Sequence, residues 1–344
     1  MEFVRLEDLC LPPPLPGGAP WLVYQHNPKK LQTFSTIWPE NKFYLKAIPE
    51  LEDKFVRTSC YGWLLLQHSL YFLNFYLWNP MTLETIYLPL LENLLDLDDD
   101  VRISTCALTS SPDDDDDFAV FVFCDYFALS CRPRSDHDPR WRVDEIEIEG
   151  EQASISDAIA CNRVIYACAS YSVGDEDAYK HSLITLKANV DGDHDDKFSS
   201  SLLLDVPDRI HPKCNGYQTY LLESNSQVYY VCLAVSNDPR IDAVEIWELN
   251  LDKKEWVEVK SLNDRAFFLG RDSCTWCWAS TEVEANSVFL LRALNLDDGL
   301  DSTLGQYRLE DHSLTVYLPC PKLLSPRTRP FWFIPEQPRL VNEY

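Results

Sequence analysis

From Trp21 onward the chain is a succession of short apolar and β-branched runs separated by turn residues. WLVYQH, LQTFSTIW and NKFYLKAI come first, broken by Asn-Pro and Pro-Glu-Asn. GWLLLQ and LYFLNFYLW follow, then ETIYLP after the turn Asn79-Pro80-Met81-Thr82. VRISTCALT and FAVFVFCDYFALSC lead to WRVDEIEIE, which alternates strictly between polar and apolar positions. DAIACNRVIYACAS, HSLITLKAN and SSLLLDVP continue the series. The C-terminal third supplies TYLLE, QVYYVCLAV, AVEIWELN, EWVEVKSL, SVFLLRAL, LGQYRLE and LTVYLP. Runs of this length and composition, bounded by turn residues, are strands. Helical periodicity is scarce, and Leu90–Leu97 is the best candidate for a short helix.

The spacing of these strands is periodic. Turns near residues 222–228 and 251–254 recur near 284–287 and 309–313, so each unit holds two hairpins and successive units lie roughly 60 residues apart. WNPMTLETIYLP, WELNLDKKEWVEV and YRLEDHSLTVYLP share one outer-hairpin form: a polar strand end, a short turn and an alternating return strand. The pattern predicts an all-β chain folded as a β-propeller, with six blades of four antiparallel strands, the count being open by one. The blades fall near 20–50, 55–90, 100–150, 155–207, 215–262 and 265–320. Two β-sandwiches are the rival architecture. The absence of any Trp-Asp dipeptide argues against the WD40 type, and ten glycines leave little room for kelch double-Gly repeats. Residues 1–20, with the run Pro12-Pro13-Pro14-Leu15-Pro16, read as a tail ahead of a propeller domain over 21–335, and 336–344 as a C-terminal tail.

Composition narrows the function. At 344 residues and 46% hydrophobic the chain has ample material for a core. A formal charge of −25 argues against nucleic acid and anionic membrane as partners, because both need Lys and Arg facing phosphates. MEFVRLEDLC lacks a basic, then apolar, leader, and no apolar run approaches a membrane span. The 12 cysteines are scattered, mostly inside apolar runs, which predicts reduced buried thiols and a cytoplasmic or nuclear protein.

Candidate chemistry is sparse. The acidic runs are Asp96–Asp100, Asp113–Asp117 and Asp191–Asp196. The third starts like a calcium loop but places Asp196 where a Gly is required and Leu202 where a Glu is required, so solvated loops are the reading. Cys274-Thr275-Trp276-Cys277 is a CxxC without a second ligand pair for zinc, and on a strand its cysteines would point to opposite faces. None of the seven histidines lies in a nucleophile-elbow or metalloprotease motif. No catalytic, cofactor-binding or metal-ligating residue is therefore assigned, and no cofactor is expected. Trp63, Trp78, Trp247 and Trp256 lie in strand text and are expected to fill gaps between blades.

Several segments resemble one family. Ser59-Cys60-Tyr61-Gly62-Trp63-Leu64-Leu65-Leu66, the hairpin Trp78-Asn79-Pro80-Met81-Thr82 running to Leu88-Pro89, WVEVKSLNDRAFFLG from Trp256 to Gly270, YRLEDHSLTVYLP and Pro330–Pro335 are similar to the plant F-box/kelch-type proteins that carry the KIB-type β-propeller, a domain of unknown function. The resemblance implies the substrate-receptor part of an SCF ubiquitin-ligase adaptor: a propeller that binds a partner protein, with a possible indirect link to the ligase. In such proteins an F-box precedes the propeller. Here 20 Pro-rich residues precede the first strand, which leaves no room for one, and Asn263 stands where the family often has Gly. The expectation is a protein-binding propeller without its own F-box and without enzymatic activity. The alternatives are a divalent-cation-dependent enzyme using the Asp loops and a truncated F-box gene product.

Overall fold

Four two-residue connections between strands turn left-handed at both residues. Tyr61-Gly62, Glu149-Gly150, Asn162-Arg163 and Asn225-Ser226 all have φ between 50° and 89°. Such paired positive φ values define the turn whose twist matches that of the flanking strands, so each pair makes a tight hairpin. The computed structural model describes residues 12–13, 19–26, 31–36, 42–68, 74–91, 102–114, 117–134, 139–173, 179–187, 199–207, 216–235, 241–271, 273–293, 302–317 and 330–334.

The strands form six sheets in chain order, the blades of a six-bladed all-β propeller. Blade 1 contains β1 (Trp21–His26), β2 (Leu31–Ser35) and β3 (Phe43–Lys46), and blade 2 contains β4 (Lys54–Cys60), β5 (Trp63–His68), β6 (Phe75–Trp78) and β7 (Thr85–Tyr87). Blade 3 is β8 (Ile103–Leu108), β9 (Val120–Cys124), β10 (Phe127–Cys131) and β11 (Arg142–Glu145). Blade 4 is β12 (Glu147–Ile148), β13 (Glu151–Cys161), β14 (Val164–Ser172), β15 (Tyr179–Lys187) and β16 (Ser199–Asp205). Blade 5 is β17 (Gly216–Ser224), β18 (Gln227–Val235), β19 (Ile241–Asn250) and β20 (Glu255–Glu258). Blade 6 is β21 (Arg265–Leu269), β22 (Thr275–Trp278), β23 (Ser287–Ala293), β24 (Ser302–Arg308) and β25 (Leu314–Tyr317). The last strand, β26 (Phe331–Phe333), returns to β1. Among the described residues the one helical element is the 3-10 turn Pro49–Leu51. Leu90 and Leu91 are not helical, and the rest of the expected helix lies outside the described residues.

Two expectations are corrected. Four antiparallel strands per blade hold for blades 1, 2, 3 and 5, but blades 4 and 6 have five strands each. In blade 6, β22 folds back on the far side of β21, so the chain must return past β21 to start β23, and β21 and β23 run parallel. Backbone bonds from Ala279 N to Asp264 O (2.6 Å) and from Asn286 N to Arg265 O (2.9 Å) anchor both ends of that detour. Blade 1, expected from a contiguous segment, takes its fourth strand from residues 331–333.

The chain divides into two compact units. One comprises Met1–Phe72, Tyr76–Thr85 and Lys260–Tyr344. In it, Trp21 and Val23 of β1 face a cluster with Leu64, Leu66 and Trp78 of blade 2, while Leu22 and Tyr24 face Phe268, Phe289 and Leu304 of blade 6. A strand buried on both faces needs a continuous apolar run, which is why WLVY does not alternate. The closing strand belongs here. Trp332 lies opposite Leu22, donates its indole N–H to Leu269 O (3.0 Å) and its backbone N–H to Ser273 Oγ (2.9 Å), and packs 5.2 Å from the ring of Phe268. A Cβ on Gly270 would meet Ser273 O at 2.8 Å and Trp332 Cδ1 at 3.1 Å, so glycine is required for this approach. The other unit comprises Leu73–Phe75 and Ile86–Val259. Phe121 and Phe123 of blade 3 pack with Ile165, Ala167 and Ile184 of blade 4, and on blade 4's other side Tyr166, Cys168 and Leu183 meet Leu221, Tyr230 and Trp247 of blade 5.

Trp332→Ala is expected to lower stability by about 3–5 kcal/mol, and Gly270→Ala by about 1–3 kcal/mol through overpacking. Denaturant titration measures both. A Gly270→Ala protein as stable as the parent would show that the approach of Trp332 to this loop is not tight.

Candidate partner-binding surface

Most of the chemistry noted in the sequence serves the fold. Cys277 lies on β22 in the core, where burial pushes its thiol up to about 12. Cys274 precedes the strand, with Sγ 3.4 Å from Gly270 O. The two do not converge, and a thiol so shifted is a poor ligand and nucleophile at neutral pH. Nine cysteines are described, none of them in a disulfide, and seven of them are buried. The runs 96–100 and 191–196 lie outside the described residues. Of the middle run, Asp113 and Asp114 close a turn on Ser111, and Asp117 sits 3.6 Å from Arg132. Among the described residues no three His, Cys, Asp or Glu side chains converge as metal ligands. His26 bonds Thr33 (2.7 Å), His181 bonds Ser170 (2.7 Å) and His312 bonds Tyr307 (3.0 Å), each a pairing within its own sheet. His137, His194 and His211 lie outside the described residues.

The tryptophans separate into two sets. Trp21, Trp63, Trp78, Trp141 and Trp332 are fully buried, whereas Trp278 is exposed and packs edge-on against Trp276 at 5.3 Å. Trp256 is half-buried at the junction of blades 4 and 5. Its ring lies 5.7 Å from Tyr230, and its indole N–H donates to Asp205 O of β16 (3.0 Å). Glu258, on the same side of β20, is exposed at the strand's end, so no charge is buried beside the indole. Asn263 has φ 55°, the left-handed conformation that Asn tolerates better than other residues with a Cβ.

One half-buried acid escapes sequence reading. A bulge in β13 between Ile155 and Asp157 shifts the strand's phase. Ile155 and Ala158 both face the blade 3 cluster as a result, and Asp157 is turned toward blade 5. Its carboxylate accepts from Ala158 N (2.8 Å) and from Leu221 N of β17 (2.6 Å). Burial pushes it up to about 7 despite these two donors, and the facing Cys168 thiol is pushed up as well, first by burial and then by the Asp157 charge. A signal exists in SISDAIAC, where an Asp interrupts an otherwise small and apolar run.

Exposed apolar side chains also mark the outer strands. The last strand of every blade exposes a large apolar side chain: Phe43 and Leu45 on β3, Tyr87 on β7, Val143 on β11, Leu202 on β16, Val257 on β20 and Val316 on β25. Outer strands of this kind, with a free edge and exposed anchors, are suited to holding another polypeptide.

A family model described as the KIB1-4 beta-propeller matches residues 33–318. Among curated proteins none matches the chain. No helix among the described residues is long and apolar enough to cross a membrane.

Two expectations follow from this geometry. Trp256→Ala should cost about 3 kcal/mol, the low end for a large aromatic because the ring is half-buried, and Trp256→Phe about 1 kcal/mol through the lost bond to Asp205. A loss under about 1 kcal/mol for the alanine variant would mean the ring is a surface anchor instead. For Asp157, the carboxyl titrates near 3.8 when unfolded and near 7 when folded, so the folded state holds the extra proton between these values. Its contribution to stability is full below the lower value and is lost as pH rises through the upper one. The stability difference between the parent and Asp157→Asn should therefore shift against the parent from pH 5 to pH 8. A shift in the parent's favour would show that the two N–H donors outweigh burial.

Proposed function

Because the chain belongs to the KIB1-4 β-propeller family, we propose that it is a protein-binding propeller that selects a partner protein for ubiquitin-dependent turnover, as the receptor half of an SCF-type adaptor. The observation that carries this reading is the rim. Among the described residues the outer strand of each blade has no further strand paired to it and exposes an apolar side chain, which offers polypeptide-binding edges. The formal charge of −25 favours a partner, or a segment of one, that is basic. The described cysteines, outside any disulfide and mostly buried, fit a reducing compartment, and the cytoplasm or the nucleus is the proposed location.

The test fuses a Skp1-binding F-box ahead of Trp21. The fusion is expected to direct ubiquitin onto the proteins that the propeller alone recovers from plant extract, and to do so in a Skp1-dependent manner. Recovery of the same proteins by an unrelated acidic propeller would contradict the reading.

A further inference from the structure

The strictly alternating segment Trp141–Glu149 has a structural role on one side and none so far on the other. Ile146 and Ile148 are buried in the cluster between blades 3 and 4. Ile146 joins the two sheets directly, donating its N–H to Tyr126 O (3.0 Å) and accepting from Ala153 N (2.8 Å). The alternate residues Val143, Glu145 and Glu147 are exposed.

Three observations meet at this place. First, β11 ends its sheet, and no described strand pairs with its far edge. Ile146 N points to the β9–β10 turn, so by the alternation of an antiparallel ladder Asp144 and Arg142 direct their N–H and C=O toward β10, and those of Val143 and Glu145 point outward. Second, the edge carries an apolar anchor in Val143, 38% exposed, and the adjoining β9–β10 turn presents Tyr126, whose carbonyl holds Ile146, 53% exposed. Third, Asp125, Glu145, Glu147, Glu149 and Glu151 are all exposed, and none forms an ion pair among the described residues. The edge of β20 differs, because there Lys253 neutralises Glu255 at 3.5 Å. An acidic strand edge with apolar anchors is complementary to an extended chain that alternates basic and apolar residues, and the charge of the whole molecule acts in the same direction.

We propose that the free edge of β11, with Tyr126 and the carboxylates of Glu145 and Glu147, docks a basic, extended segment of a partner protein as an added strand of blade 3. The proposal rests on the protein-binding reading above and names the site and the chemistry of the partner. The basic residues of the segment lie along the Glu145–Glu149 end, away from Arg140 and Arg142 at the start of the strand.

The test uses the full chain and two labelled peptides, a capped peptide of four Lys-Val repeats and a charge-matched peptide of four Lys-Pro repeats that cannot pair as a strand. Fluorescence anisotropy is expected to show saturable binding of the first and about tenfold weaker binding of the second. Val143→Pro removes an outward N–H that the sheet does not use, and Glu145→Lys with Glu147→Lys reverses the charge. Each is expected to weaken the Lys-Val peptide about tenfold with the melting temperature unchanged. If Val143→Pro unfolds the sheet, the charge-reversed protein, altered at exposed side chains, decides. Equal binding of both peptides, binding indifferent to charge reversal, or no binding overturns the proposal. Partner recovery separates the two levels: a charge-reversed chain that still recovers the native set overturns this site and leaves the protein-binding reading standing, whereas a native chain that recovers no partner overturns both.

Discussion

The pairing of β26 with β1 joins Phe333 to Trp21, and the first sheet is incomplete without it. Closing so long a flexible chain costs about 5 kcal/mol in entropy. Burial of Phe331, Trp332 and Phe333 offsets this, at about 2–3 kcal/mol for each ring. The two bonds made by Trp332 to Leu269 and Ser273 direct the closing strand into one register, and Gly270 leaves the space for it. The stretch from Trp256 to Gly270, one of those that carry the family resemblance, ends in the loop that receives Trp332, which gives a packing reason for its final Gly270.

A scaffold so stitched leaves little freedom for chemistry in its interior. His26, His181 and His312 are held within their own sheets, the Cys277 thiol is pushed up by burial, and Asp157 spends both oxygens on backbone N–H groups. The variable material is displaced to the outer strands. There the same alternation that buries Ile146 and Ile148 presents Val143, Glu145 and Glu147 to solvent. A fold in which every blade ends on an edge strand must guard those edges against non-specific pairing, and charge is one such guard. Beyond Arg142, the exposed Glu145, Glu147 and Glu149 form no ion pair among the described residues, and the proposed docking of a basic segment rests on that end of the edge.

Much of this was legible in the sequence because the governing signals are local. Strand-length apolar runs bounded by turn residues mark all six blades, and Trp256 was readable as a filler between blades from its place on an alternating strand. The closing strand was not legible. Pairing between residues near 22 and near 332 leaves no local trace, and Phe331–Phe333 is too short to announce itself as a strand. The β22 detour was missed because a TWCW run looks the same whether it continues a meander or folds back on it, and the backbone bonds of Ala279 and Asn286 that decide the matter leave no mark on side-chain pattern. Asp157 was missed because a bulge inverts the alternation from which burial is inferred.

Amide hydrogen exchange on the full chain tests the closure most directly. If β26 completes the first sheet, the amides of Phe331–Phe333 and of Trp21–His26 exchange together, at a rate that follows the same opening event. Exchange of Phe331–Phe333 at the rate of an unstructured peptide, while Trp21–His26 stays protected, would contradict it.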